Sequence, residues 1–115
     1  MIPTEAQEAR TLVAYLRVRG YRFTHIANET GIGKNARFQG IRNKQQGTSK
    51  GFPDYLIIVN NRLVAIELKR TKGSVTSKEQ KEWIEALNNC GIEATICKGA
   101  EEAIKYIEGV KRNWL

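Results

Sequence analysis

The sequence predicts an α/β fold with the element order αβββαβα, a mixed central sheet flanked by helices. Two observations carry this. Two aliphatic, β-branched runs are separated by only Asn60-Asn61, and stretches with helical apolar spacing lie on either side of them. A strand, a crossover helix and another strand then follow in order, which adds a parallel neighbour to an otherwise antiparallel hairpin. At 115 residues the chain is expected to form one domain spanning 1–115.

The first helix is expected from Glu5 to Arg19. Thr4 is its N-cap, Ala9, Leu12, Val13 and Leu16 form its apolar stripe, and Gly20 ends it. At about 100° per residue Glu5 falls within that stripe and Glu8 near its margin. A carboxylate on a buried stripe is unusual unless it serves a site. Acids in a first turn also complement the helix dipole and reach solvent, so both uses stay open.

Tyr21 to Ala27 alternates Tyr, Phe, His and Ala on one face with Arg, Thr and Ile on the other, and reads as the first strand. His25 is expected to be a structural or packing residue. It is the only histidine, which gives little support to a histidine metal site or a Ser-His-Asp arrangement.

Between Thr30 and Pro53 there is no acidic residue, while Lys34, Arg37, Arg42, Lys44 and Lys50 alternate with glycines and amides. Such a basic loop suits a polyanion, as does the net charge of +7. Phe38, the only aromatic between Lys34 and Lys50, can stack on a base or anchor the loop.

Tyr55 to Val59 and Leu63 to Ile66 are the hairpin strands, and Asn60-Asn61 tolerates the positive φ of a two-residue turn. With that loop, Val59 faces Arg62, and counting outward brings Asp54 opposite Glu67, with Lys69 on the same face; a three-residue loop would shift this register by one. Two carboxylates placed so, with Cβ atoms roughly 5 Å apart, weaken the pairing by up to about 1 kcal/mol. A divalent cation offsets that repulsion, since Mg²⁺ takes one or two carboxylates plus water and phosphate oxygens.

After the turn at Arg70-Thr71-Lys72-Gly73, Thr76 or Ser77 caps a helix from Lys78 to Asn89, with Trp83, Ile84 and Leu87 on its inner side. Gln80 can either complete that cap or point at the sheet. Gly91 ends the helix, Glu93 to Lys98 forms the last strand, and Ala100 to about Val110 forms the last helix through Ala103, Ile104 and Ile107. The tail from Lys111 to Leu115, with Trp114, is expected to dock loosely or to help self-association.

Cys90 and Cys97 have no second pair to complete a zinc site and are expected to be reduced packing thiols. No run approaches the roughly 20 apolar residues of a membrane span, and Met1 to Glu5 lacks the character of a signal peptide, so a cytoplasmic location is expected.

Pro53-Asp54, Glu67-Leu68-Lys69 and the stretch Ser77-Lys78-Glu79-Gln80-Lys81-Glu82-Trp83 together resemble the PD-(D/E)xK nucleases, and within them the VRR-NUC family found in phage and bacterial proteins. The resemblance covers most of the chain. It implies a restriction-endonuclease-like fold and a metal-dependent endodeoxyribonuclease. Asp54 and Glu67 would hold Mg²⁺, with Mn²⁺ as a substitute, joined by the Leu68 carbonyl and by a carboxylate of the first helix. Glu5 is favoured for the last role, with Glu8 as competitor. Lys69 and Gln80 would serve the attacking water and the phosphate, and Glu29 would orient a ligand or cap a loop.

Small relatives resemble dimeric enzymes selective for branched DNA, including Holliday-junction resolving enzymes, so a homodimer acting on junction DNA is expected. The alternatives are a flap or nicking repair nuclease, RNA cleavage, and a non-catalytic nucleic-acid-binding module of the same fold.

Overall fold

The structure, a computed structural model, describes residues 1–27, 42 and 45–113. Glu29, Lys34, Arg37, Phe38, Lys44 and Trp114 lie outside the described residues. Among those described, the elements are α1 (Glu5–Val18), β1 (Arg22–His25), β2 (Tyr55–Val59), β3 (Arg62–Lys69), α2 (Lys78–Asn89), β4 (Glu93–Lys98) and α3 (Ala100–Asn113). The order αβββαβα expected from the sequence is the one found. No described helix is long and apolar enough to cross a membrane.

The four strands form one sheet in the order β1-β2-β3-β4. Strands β1 to β3 are antiparallel neighbours, and β4 joins β3 in parallel after the α2 crossover. Asn60 and Asn61 both adopt positive φ, 52° and 64°, so the hairpin closes in two residues and Val59 pairs with Arg62. That short turn fixes the register of every residue outward to Tyr55 and Ile66.

Alternation along the strands sends Tyr55, Ile57, Val59, Val64, Ile66 and Leu68 to one face, where they form the core with Leu12 and Leu16 of α1 and Ala103 and Ile107 of α3. Glu67 and Lys69 therefore belong to the opposite face, the side of α2. That helix buries no residue fully. Trp83 instead packs edge-on against Phe52, with ring centroids 5.0 Å apart and planes at 79°.

Both helices flanking the site start as their sequences dictate. Thr4 and Gln7 form a capping box on α1, and Ser77 and Gln80 form one on α2. Gly20 follows α1 in the left-handed region, at φ 75°.

Three expectations are corrected. Strand β1 is shorter than the alternation from Tyr21 to Ala27 suggests. In α1 it is Glu8 that is buried, at 7% exposure, while Glu5 is exposed. Cys90 is an exposed residue at the end of α2 and does not pack; Cys97 is buried, and burial pushes its thiol up to about 12.

Candidate active site

The site is assembled where β2 begins and β3 ends. Asp54 immediately precedes β2, and its Oδ2 accepts the Leu68 backbone N–H at 3.0 Å. Its own carbonyl accepts the Ile26 N–H at 2.6 Å, which ties the end of β1 to the same point. Continuing the ladder from Tyr55 and Ile66 sets Asp54 against Glu67, as the two-residue turn requires.

Glu67 is 4% exposed, an uncommon position for a carboxylate. Its Oε2 accepts from Gln80 Nε2 at 3.1 Å and faces Lys69 Nζ at 3.6 Å. The Lys69 side chain is itself only 12% exposed. Asp54, Glu67, Lys69 and Gln80, separated by up to 26 positions in sequence, thus converge on one corner of the sheet.

The two acids cannot both ionise freely there. Burial, then the Asp54 charge and a hydrogen bond to Asp54, push Glu67 up to about 8, against a smaller pull from Lys69. Asp54 is also raised by burial, opposed by the Leu68 N–H, Glu67, His25 and Lys69. Both carboxyls are thus raised by burial, and the pair resists ionising fully.

Two carboxyl groups crowded together in a half-buried corner are a donor set that suits a hard divalent cation. Such an ion would relieve the repulsion between them. Among the described residues, no three His, Cys, Asp or Glu side chains converge closely enough to enclose a metal by themselves. The protein thus offers two carboxylates, and further oxygens would have to come from backbone, water or substrate.

Gly51 sets the approach of this segment to α2. It has φ +89°, and a Cβ there would lie 2.6 Å from the Glu79 carbonyl carbon and 2.7 Å from the Gln80 nitrogen. Only glycine lets the chain leading to Asp54 touch the first turn of the helix that carries Gln80.

On the other face of the sheet a cleft of about 290 Å³ is lined by Glu5, Ala9, His25, Asp54, Tyr55 and Leu68, among others. Glu5 thus shares a cavity with Asp54. Glu8 turns elsewhere, its Oε1 accepting the Ala100 N–H at the start of α3 at 3.1 Å. Arg42 and Lys50, the described residues of the basic loop's cation set, are both exposed.

His25, expected as a packing residue, is exposed in the same cleft, its ring resting on Tyr55 with centroids 5.0 Å apart. Strand alternation alone gave its face correctly. It could not show that α1 leaves this end of β1 uncovered.

This arrangement of a mixed sheet, a Pro-Asp turn and a Glu-x-Lys strand end is that of a nuclease-type α/β domain. The family model of the VRR-NUC domain matches residues 6–101, and the chain belongs to that family. A solved structure, a VRR_NUC domain protein, superposes with a TM-score of 0.76 at 22% identity, covering 93% of this chain and 87% of that one. A comparison with curated proteins finds no significant match. Membership places the protein in a nuclease-type family, whose substrates are nucleic acids.

Proposed function

We propose that the protein is a metal-dependent endonuclease that hydrolyses phosphodiester bonds in DNA, with Asp54 and Glu67 as ligands of Mg²⁺ or Mn²⁺. The observation that carries this reading is the Asp54–Glu67 pair, Asp54 half-buried and Glu67 buried, with Lys69 and Gln80 on the Glu67 carboxylate. A binding module of the same fold would have no use for two acids forced together out of water.

When bound, the ion would polarise a phosphoryl oxygen and lower the pKa of a coordinated water. The chain's own groups do the rest. Asp54 and Glu67 supply oxygen ligands, and the Leu68 carbonyl is positioned in sequence to add a third. Lys69 offers an ammonium to the negative charge that grows on the phosphate as water attacks. Gln80 holds Glu67 in one orientation, and Glu5 reaches the site from the cleft side, directly or through water. Hydrolysis places the hydroxyl of water on phosphorus and its proton on the departing sugar oxygen.

The finer reading is a structure-selective enzyme acting on branched or junction DNA as a homodimer. A two-fold pair would present two such sites to two strands, with Arg42 and Lys50 among the cations that engage the backbone. Both levels are tested with labelled duplex, single strand, flap, four-way junction and RNA, each with Mg²⁺, Mn²⁺ or EDTA. Metal-dependent cutting that Asp54→Asn and Lys69→Ala abolish is expected. Paired symmetric nicks in the junction by a dimer support resolution. Single incisions in the flap favour the repair-type alternative.

A further inference from the structure

We infer that His25 is a substrate-binding residue, donating a ring N–H to a backbone phosphate that lies in the cleft beside the scissile one. The inference rests on the nuclease reading and adds a residue to it.

The cleft poses an electrostatic problem for a phosphodiester. Glu5 and Asp54, two of its lining side chains, are acids that repel a phosphate. The Lys69 side chain belongs to the opposite face of the sheet and stands 3.6 Å from Glu67. Among the described residues of the cleft lining, the polar side chains besides those acids are His25 and Tyr55, and Tyr55 is 4% exposed beneath the imidazole. His25 is the exposed group on that wall that can donate a hydrogen bond.

The ring is also well anchored. His25 pairs with Tyr55 in the β1–β2 ladder, and the two rings meet at 5.0 Å with planes at 44°. The next residue donates its N–H to the Asp54 carbonyl at 2.6 Å. The imidazole therefore keeps a fixed distance from the candidate metal ligand without depending on a mobile loop. Imidazole retains at least one N–H donor whether neutral or charged, so the contact needs no particular protonation state.

A packing role and a donor role predict opposite results for two substitutions. His25→Phe preserves an aromatic ring on Tyr55 and removes the donor. His25→Gln removes the ring and keeps an N–H at similar reach. The exposed position makes both compatible with folding, which thermal melts check.

Steady-state cleavage of the best DNA substrate, with Mg²⁺ at fixed salt, is measured for wild type, both variants and Asp54→Asn. His25→Phe is expected to raise KM about tenfold, the loss of one hydrogen bond to a charged group, with kcat within about twofold. His25→Gln is expected to restore most of the lost affinity. A wild-type KM in His25→Phe, or a His25→Gln no better than His25→Phe, overturns the inference while the nuclease reading stands. If the wild type cuts nothing, the nuclease reading falls and takes this inference with it.

Discussion

Gln80 uses both ends of one amide: its Oε1 accepts the Ser77 N–H at 2.9 Å, closing the cap of α2, while its Nε2 donates to Glu67 Oε2 at 3.1 Å. The two roles that the sequence leaves as alternatives are thus held together by a single side chain. The helix cap fixes where the amide sits, and the amide fixes how the buried carboxylate points.

The roles separate by substitution. Gln80→Glu keeps an acceptor for Ser77 but replaces the donor facing Glu67 with a third acid. It is expected to retain the helical signal in circular dichroism and to lower kcat by at least about tenfold. Gln80→Ala loses both bonds and is expected to lose a similar factor in kcat, plus about 1 kcal/mol of stability. Wild-type cleavage by Gln80→Glu would reduce Gln80 to a cap.

Gly51 governs the same contact from the other side. In Gly51→Ala the new methyl meets the backbone of Glu79 and Gln80 at 2.6 and 2.7 Å, at a φ of +89° that alanine rarely adopts. Backbone neighbours cannot swing away as a side-chain tip does. A loss of roughly 1–3 kcal/mol is expected, seen as a lower Tm, and cleavage measured well below that Tm should fall as Gln80 is pushed from Glu67. A variant that melts and cuts like the wild type would contradict the tight approach.

The coupled acids make the metal-free protein sensitive to pH in a definite direction. Glu67 is raised from its ordinary 4.5 to about 8, so the folded state binds its proton more tightly than the unfolded chain does. The stability linked to that proton is present below pH 4.5 and is lost as pH rises toward and through 8. Melts in EDTA from pH 5 to 9 are therefore expected to show wild type losing Tm relative to Glu67→Gln, which has no proton to lose. Mg²⁺ should stabilise wild type more at pH 8 than at pH 5.5, since the ion and the proton compete for the same oxygens. A gap between wild type and Glu67→Gln that does not change with pH would dispose of the raised Glu67 carboxyl.

Much of this site is legible in the sequence. The aliphatic runs around Asn60-Asn61 favour a turn of two residues over a three-residue loop that would shift the pairing by one, and the period of a strand then carries the register to Asp54 and Glu67. The cap Thr4 and the glycine stop at Gly20 are local chemistry, readable from a few residues, while the second cap can be narrowed only to Thr76 or Ser77, of which the structure uses Ser77. What stayed hidden depends on partners distant in sequence. A helical wheel relates Glu5 and Glu8 only to the stripe of their own helix. Glu8 is buried because Gly99 and Ala100, more than 90 positions away, come down over it, with a Cβ at Gly99 falling 3.1 Å from Glu8 Oε2. His25 has the periodicity of a core residue, yet it sits at the open end of an edge strand. Cys90 looks like a packing thiol in composition alone, but it follows the last turn of α2 where nothing covers it.

Glu8 itself makes a prediction that separates it from Glu5. Its Oε1 accepts the first N–H of α3, a bond made across 92 positions of sequence, and its Oε2 is buried without a hydrogen-bond partner. Gly99, just before that helix, donates its N–H to the Lys69 carbonyl at 2.8 Å, so the start of α3 is fastened to both α1 and the end of β3. Glu8→Ala leaves a buried N–H unsatisfied and opens space beneath Gly99, at an expected cost of about 2 kcal/mol and a Tm lowered by roughly 5–10 °C. Glu8→Gln keeps an acceptor of the same shape and should recover most of that loss. Glu5→Ala is exposed and should melt within a degree or two of wild type, yet lose cleavage if it serves the metal from the cleft side. Were Glu8→Ala to melt normally and Glu5→Ala to unfold early, the assignment of Glu8 to the helix and Glu5 to the cleft would have to be exchanged.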